Sequence, residues 1–310
     1  MIDKLIDKII ETKCPVCVGL DTKLDYIPGD FLSGDNTDIL EYAARNVFEF
    51  NRAVIDKIAD IVPCVKVQSA YYEMYGYRGV EAFYKTIQYA KEKGLIAIAD
   101  IKRNDIGSTA AAYSSAYLGR IRINGEEVAP FDADFCTVNG YLGTDGIQPF
   151  LDDCGRYGKG IFVLVKTSNP SSGELQDMDA GGETVFEHMA DMVEGWGAGM
   201  IGKYGYSSVG AVVGATWPEQ AKALREKHKS IFMLIPGYGA QGATAQDILP
   251  NFDNNGLGGI VNSSRAILTA WKKEAYRHLN FADAARAAAL DAKEDIMGAL
   301  RQGADNQEKV

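Results

Sequence analysis

The sequence has 310 residues, 46% hydrophobic and 24% charged, an ordinary globular balance that excludes disordered, collagenous and low-complexity classes. Lys+Arg total 32 and Asp+Glu 42, so the net charge is −10; without a basic cluster this argues against a nucleic-acid binder, and an anionic ligand must be held by a few local cations and backbone amides. No apolar run approaches the ~20 residues of a membrane span, and the opening MIDKLIDKIIETK alternates charge with Ile and Leu, unlike a signal peptide.

In chain order, the N-terminal segment reads as a helix, and then short apolar runs recur, each followed by a helical pattern. Strands are predicted at 16–20 (VCVGL), 61–67 (IVPCVKV), 95–102 (LIAIADIK) and 134–139 (DFCTVN). Four more follow at 160–167 (GIFVLVKT), 209–215 (VGAVVGA), 231–236 (IFMLIP) and 258–264 (GGIVNSS). The clearest helices are 38–60 and 80–94, the latter with Gly94 at its C′ position. A third, 216–229, opens with Thr216 as N-cap and Pro218 in the first turn. Two stretches, 22–37 and 168–208, read as extended loops, and 280–310 as an Ala-rich helical tail with a frayed polar end. Strands that are near-continuous apolar runs are buried on both faces, as in a parallel sheet. Eight such units predict one α/β domain over 1–310, a (β/α)8 TIM barrel with core at about 14–270 and a C-terminal helical tail at 271–310. No G-x-G-x-x-G follows the first strand, which argues against dinucleotide binding.

The five cysteines, an odd count, make no disulfide scaffold and point to a reducing cytoplasm. Cys14 and Cys17 form a C-x-x-C with no second Cys/His pair nearby and run into an apolar strand, so a structural role is expected. His188, His228 and His278 show no metal-ligand spacing, and no metal site is expected.

In a barrel of this kind the chemistry lies at the C-terminal strand ends. Alternation in IADIKRNDIGST places Ile98, Asp100 and Lys102 on one face and Ala97, Ala99 and Ile101 on the other. The small apolar face suits helices, so Asp100 and Lys102 point inward, and Asp105 follows in the loop or at the next helix N-terminus. A lone D-x-K serves equally well as a structural ion pair. Lys66 alters that balance, because in PCVKVQ the residues Cys64, Lys66 and Gln68 also face inward. Two lysines and an aspartate on adjacent strands are costly to desolvate unless they pair in an alternating array. Asp21, after the first strand, adds a carboxylate at the same rim, or else serves as a turn residue. A Gly-rich turn, IPGYGAQGA, and Arg265 in NSSRAI follow the last two strands, where barrels often bind phosphate. Ser168 opens a polar stretch, 168–182, which is either a lid over the mouth or a disordered surface insertion.

With these residues assembled, DIKRNDIGST resembles the D-x-K-x-x-D-I-x-x-T signature of the orotidine 5′-phosphate decarboxylase family, in its longer bacterial subfamily. The Asp after the first strand, the Lys on the second, the Ser-containing lid, the PGxGAQG turn and the Arg after the eighth strand fall in that family's order. The resemblance implies a homodimer with shared sites that converts orotidine 5′-monophosphate to uridine 5′-monophosphate and carbon dioxide, the last step of de novo UMP synthesis, without metal or organic cofactor. It implies that Lys102 donates a proton to C6, Asp100 sits against the substrate carboxylate and Lys66 completes the array. Asp105, Ile106 and Thr109 would reach the neighbouring subunit's site. Asp21 would touch the ribose, Ser168 the pyrimidine, and Pro236, Gly237, Gln241 and Arg265 would hold the phosphate end. The nearest alternative is the sister group of magnesium-dependent phosphosugar decarboxylases and hexulose-phosphate synthases. That group carries Glu where this chain has Lys66, and a lysine repels a divalent cation. A catalytically silent nucleotide-binding barrel is the alternative of another class; it would need the phosphate site but not the charged array.

Overall fold

The computed structural model describes residues 1–35, 37–239 and 242–307. Among these residues ten strands occur in chain order. They are β1 (Val16–Leu20), β2 (Cys64–Gln68), β3 (Ile96–Arg103), β4 (Ile121–Ile123), β5 (Glu126–Val128), β6 (Phe135–Val138), β7 (Gly160–Lys166), β8 (Val209–Val213), β9 (Met233–Pro236) and β10 (Gly259–Ser263). Eight of them close a parallel barrel in the order β1-β10-β9-β8-β7-β6-β3-β2, as the eight apolar runs predict. Alternation sorts the side chains as expected. Cys17, Cys64, Ile98, Phe135, Phe162, Leu234 and Ile260 form the barrel interior. Val16, Val18, Val65, Val67, Ala97 and Ala99 pack outward against the helices.

The interior is filled at the end away from the strand C-termini. The Phe135 and Phe162 rings stack at 5.0 Å. Room for them comes from two glycines: a Cβ on Gly160 would lie 2.3 Å from the Phe135 ring, and one on Gly210 2.8 Å from Phe162. The helix Ile2–Thr12 then closes this end. Its apolar stripe, Ile2, Leu5, Ile6 and Ile9, joins the interior cluster. The C-x-x-C divides between the two layers, with Cys14 among the outer residues and Cys17 inside beside Cys64. All five cysteines are free and buried, and burial pushes the Cys14 thiol up to about 11.

The structure departs from expectation at four places. β4 and β5 form an antiparallel hairpin ahead of β6. Its turn is Asn124-Gly125, both at positive φ, a hairpin dipeptide that was legible in RINGEEV. Much of 168–208 is helical, at Gly173–Gln176 and Val185–Gly197; the second helix begins at a Thr184/Glu187 capping box and buries Phe186, Ala190 and Val193. Trp217, not Thr216, is the N-cap of Pro218–Lys227, and the Thr216 hydroxyl instead donates to the Ser168 carbonyl. The C-terminal helix Phe281–Gln307 is integral to the barrel wall: Ala284, Ala285, Ala289 and Ile296 are buried, and Lys293 donates to the Thr12 carbonyl at 2.8 Å.

If the N-terminal helix is a plug, Leu5→Ala should destabilise by about 2–5 kcal/mol, because the fully buried side chain leaves a cavity that the rigid barrel floor fills poorly. Urea unfolding should show a lower midpoint at unchanged slope. A shift below about 0.5 kcal/mol would show that the helix merely lies on the surface.

Candidate active site

At the C-terminal ends of the strands lies a cavity of about 720 Å³. Its floor is built by neighbouring strands. β2 and β3 pair with Gln68 opposite Asp100, and β6 brings Thr137 to the other side. Asp100 lies almost fully buried at the centre. Its Oδ2 accepts from Lys66 Nζ at 2.6 Å and Gln68 Nε2 at 2.7 Å. Its Oδ1 accepts from Lys102 Nζ at 2.5 Å and Thr137 Oγ1 at 2.7 Å. Lys66 Nζ also reaches Asp21 Oδ1 at 3.2 Å. The four charged groups therefore run Asp21, Lys66, Asp100, Lys102, alternating in sign.

Burial alone would push the Asp100 carboxyl up. The charges of Lys66 and Lys102, with the hydrogen bonds they donate, outweigh it and hold the group well below the usual carboxylate range. Burial alone would likewise lower the Lys66 ammonium, but Asp100 and Asp21 hold it above the ordinary lysine value. The stabilisation linked to Asp100 is present above an ordinary carboxylate pKa and fades as acid approaches its depressed value. That linked to Lys66 is present below an ordinary lysine pKa and fades as alkali approaches its raised one. Neither group titrates between about pH 4 and pH 10.

Lys102 differs from its neighbours. Its side chain is 43% exposed, so this ammonium meets the cavity. Its φ is +48°, and the β3–β6 register slips between Ala99 and Arg103. Plain alternation predicts an inward Lys102; a bulge with a left-handed residue is how the chain presents it.

Of the residues expected in the site, Asp21, Lys66, Asp100, Lys102, Ser168, Pro236, Gly237 and Arg265 line this one cavity. Gly237, at φ +107°, makes the turn that brings backbone close to the mouth beside Arg265. Asp105, Ile106 and Thr109 are not among the lining residues. Asp105 accepts from the Ile106 amide at 2.8 Å, and Ile106 is 56% exposed at the rim. Gln241 lies outside the described residues. Sequence reading missed Thr137, Asn262 and Tyr26.

The segment beginning at Ser168 is tied down over the mouth. Lys166, wholly buried at the end of β7, pairs with Asp177 at 2.5 Å, and Trp217 Nε1 donates to the Thr167 carbonyl. The surface-insertion reading of 168–182 therefore fails for its first half, which folds against the barrel. Elsewhere, a cleft of about 910 Å³ is larger, but Arg225, its buried cation, spends its donors on the carbonyls of Asn251, His228, Ile231 and Gly258. Ligand atoms of Glu183, His188 and Asp191 also come within 4.8 Å of one another, yet Lys227 already pairs with both carboxylates.

Residues 15–279 match the family model described as Orotidine 5′-phosphate decarboxylase / HUMPS family. Among curated relatives, the orotidine 5′-phosphate decarboxylase of Caldicellulosiruptor saccharolyticus is 42% identical, over 96% of this chain and 98% of that protein. The orotidine 5′-phosphate decarboxylase of Petrotoga mobilis is 45% identical over the same shares. The solved structure of Leishmania donovani OMP decarboxylase superposes with a TM-score of 0.73 at 26% identity, covering 96% of this chain and 98% of that one.

The buried array makes a prediction of its own. Lys66→Met leaves Asp100 without its closest buried counter-ion and should cost about 3–5 kcal/mol in denaturant unfolding at neutral pH. The deficit should narrow in acid, where protonation relieves the stranded carboxylate. A loss under about 1 kcal/mol would show that Gln68, Thr137 and Lys102 suffice to hold it.

Proposed function

This chain belongs to the orotidine 5′-phosphate decarboxylase family and converts orotidine 5′-monophosphate to uridine 5′-monophosphate and carbon dioxide in pyrimidine biosynthesis; from that premise we propose that the array Asp21, Lys66, Asp100 and Lys102 is its catalytic machinery. One observation carries the reading: Lys66 is buried at the centre of the array, bonded to two carboxylates. A Glu there, as in the magnesium-dependent sister group, would join those carboxylates as a cation ligand. A lysine supplies the positive charge itself.

Cleavage of the C6–carboxylate bond leaves the electron pair on a ring carbon. The pair takes a proton from the Lys102 ammonium, and solvent reprotonates the amine. At ~4 Å and an effective dielectric of ~20 the Coulomb attraction of a fixed ammonium is about 4 kcal/mol, or about three decades in rate. The remainder must come from binding energy spent at the far end of the substrate. Arg265, Pro236, Gly237 and Gln241 are proposed to hold the phosphate, Ser168 the pyrimidine and Asp21 the ribose. Asp100 stays ionised beside the substrate carboxylate because its four donors fix it there. Phosphate binding would hold the segment after Ser168 closed over a dried site.

Asp105, Ile106 and Thr109 are proposed to complete the site of a second copy in a homodimer. What supports this is their place outside their own cavity, with Ile106 and Thr109 exposed and Asp105 half-buried, together with the exposed apolar side chains Met74, Tyr77, Tyr141 and Leu142 on the loops and helix starts following the neighbouring strands β2 and β6. Free, buried cysteines support a reducing cytoplasm as the location. Among the described residues no helix is long and apolar enough to cross a membrane.

Purified protein should consume orotidine 5′-monophosphate, read as loss of absorbance, and dialysis against a chelator should leave the rate unchanged. A rate lost to the chelator and restored by magnesium would favour the sister group.

The shared site makes a second prediction. Lys102→Ala and Asp105→Asn should each be nearly inactive. In a mixed dimer one site joins both mutations and the other joins a normal Lys102 with a normal Asp105. Random reassociation makes half the dimers mixed, so about a quarter of all sites should regain activity after joint unfolding and refolding. A mixture that stays as inactive as its components despite proven heterodimers would show that Asp105 serves its own chain.

A further inference from the structure

Thr137 occupies a point where the barrel wall is irregular. Along β3 and β6 the partners are Ile98 with Phe135, Ala99 with Cys136, and then Arg103 with Val138. Three residues, Asp100 to Lys102, therefore face one, Thr137. The bulge leaves the Lys102 amide without a backbone acceptor in the ladder, and it donates instead to Thr137 Oγ1 at 3.0 Å. The same oxygen lies 2.7 Å from Asp100 Oδ1. The proton positions follow from chemistry. An amide N–H can only donate and an ionised carboxylate can only accept, so the hydroxyl accepts from Lys102 and gives its own proton to Asp100. Thr137 is itself buried, and water cannot readily replace either bond.

A lysine at φ +48° needs a reason to stay there, since left-handed backbone is unfavourable for a residue with a Cβ. We propose that Thr137 is the positioning residue for Lys102: its hydroxyl pins the lysine backbone in the left-handed bulge and ties it to the carboxylate that receives the ammonium, so that Nζ is aimed before substrate arrives. Lys102 Nζ meets Asp100 Oδ1 at 2.5 Å, on the oxygen that Thr137 also serves. Backbone and side chain of one lysine are thus fixed to a common anchor. Gln68, by contrast, touches only Oδ2 and has no bond to Lys102. The proposal rests on Lys102 as the proton donor, and it extends that reading to a residue that acts through Lys102.

The test uses three proteins: the parent, Thr137→Val and Thr137→Ser. Valine keeps the shape of threonine and loses the hydroxyl; serine keeps the hydroxyl. Rates are expressed per binding-competent site, counted by titration with uridine 5′-monophosphate, and folding is followed by thermal unfolding. T137V should lower kcat roughly 10- to 100-fold, the factor that one lost hydrogen bond at a buried charge carries. Its KM should stay within about 3-fold of the parent, because the phosphate end is untouched. T137S should stay within about 3-fold in both constants. If T137V does not fold, T137A carries the same expectation. T137V with a parent-like kcat per competent site overturns the proposal, and so does T137S as impaired as T137V. A purely structural role would lower the melting temperature and the count of competent sites while sparing kcat per site. If the parent itself shows no turnover, the assignment of the whole array falls, a result distinct from an active parent with an indifferent T137V.

Discussion

The structure is organised around one buried carboxylate. Asp100 is almost fully buried, and an ionised carboxylate in such a place persists only if cations and donors replace the lost hydration. Four do so, two on each oxygen: Lys66 and Gln68 from β2, Lys102 from the same strand, and Thr137 from β6. This requirement dictates what the three strands may carry at this height. It is met by inward polar residues at alternate positions of β2 and by the lysine presented from the bulge in β3. It also explains why the interior changes character along the barrel axis. One end is a stacked Phe135–Phe162 layer sealed by Ile2, Leu5, Ile6 and Ile9, and the other is charged and open.

A carboxylate held in this way provides a fixed field. Lys66 is buried and spends its charge on two aspartates, whereas Lys102 keeps 43% of its side chain exposed toward the cavity. The two lysines therefore differ in what they can do although both touch Asp100. In the proposed mechanism Lys66 sets the local potential and takes no part in proton transfer. Lys102 is anchored at one oxygen and still presents N–H bonds to a ligand. Electrostatic catalysis depends on such groups being oriented before the charge develops, because reorientation during the reaction would cost what the field supplies.

Most of this was legible in the sequence because burial and period are local signals. Eight apolar runs marked the strands, and the alternation of Cys64, Lys66 and Gln68 against Val65 and Val67 marked the inward face. What escaped depends on pairing between distant segments. Thr137 sits in DFCTVN like any strand threonine; its role exists only because β6 stands opposite a bulge, and no residue in DFCTVN announces the slip. The positive φ of Lys102 is hidden for the same reason. Other misses had local signals that went unused: Asn124-Gly125 for the hairpin, and the T-x-x-E capping box at Thr184. The C-terminal helix reads as a tail because alanines at helical spacing say nothing of what they cover. Only the fold shows Ala284, Ala285, Ala289 and Ile296 buried in the outer shell.

The distribution of order along the barrel axis links stability to function. A left-handed lysine and a dense set of desolvated charges are unfavourable features, and they persist only where the surroundings over-determine them. Here the surroundings are the parallel ladder on either side of the bulge, which resumes at Arg103 opposite Val138, and the tight floor beneath. If the floor were loose, β3 could recover a regular register by sliding, and Lys102 would lose its anchor and its aim together. The apolar plug and the cavity-facing lysine lie at opposite ends of the barrel. Close packing of the plug beneath them favours the one register in which the lysine is anchored. The bulge is in this sense a property of the whole barrel, and the proposed proton donor is placed by Asp100 and Thr137 together with the packing beneath them.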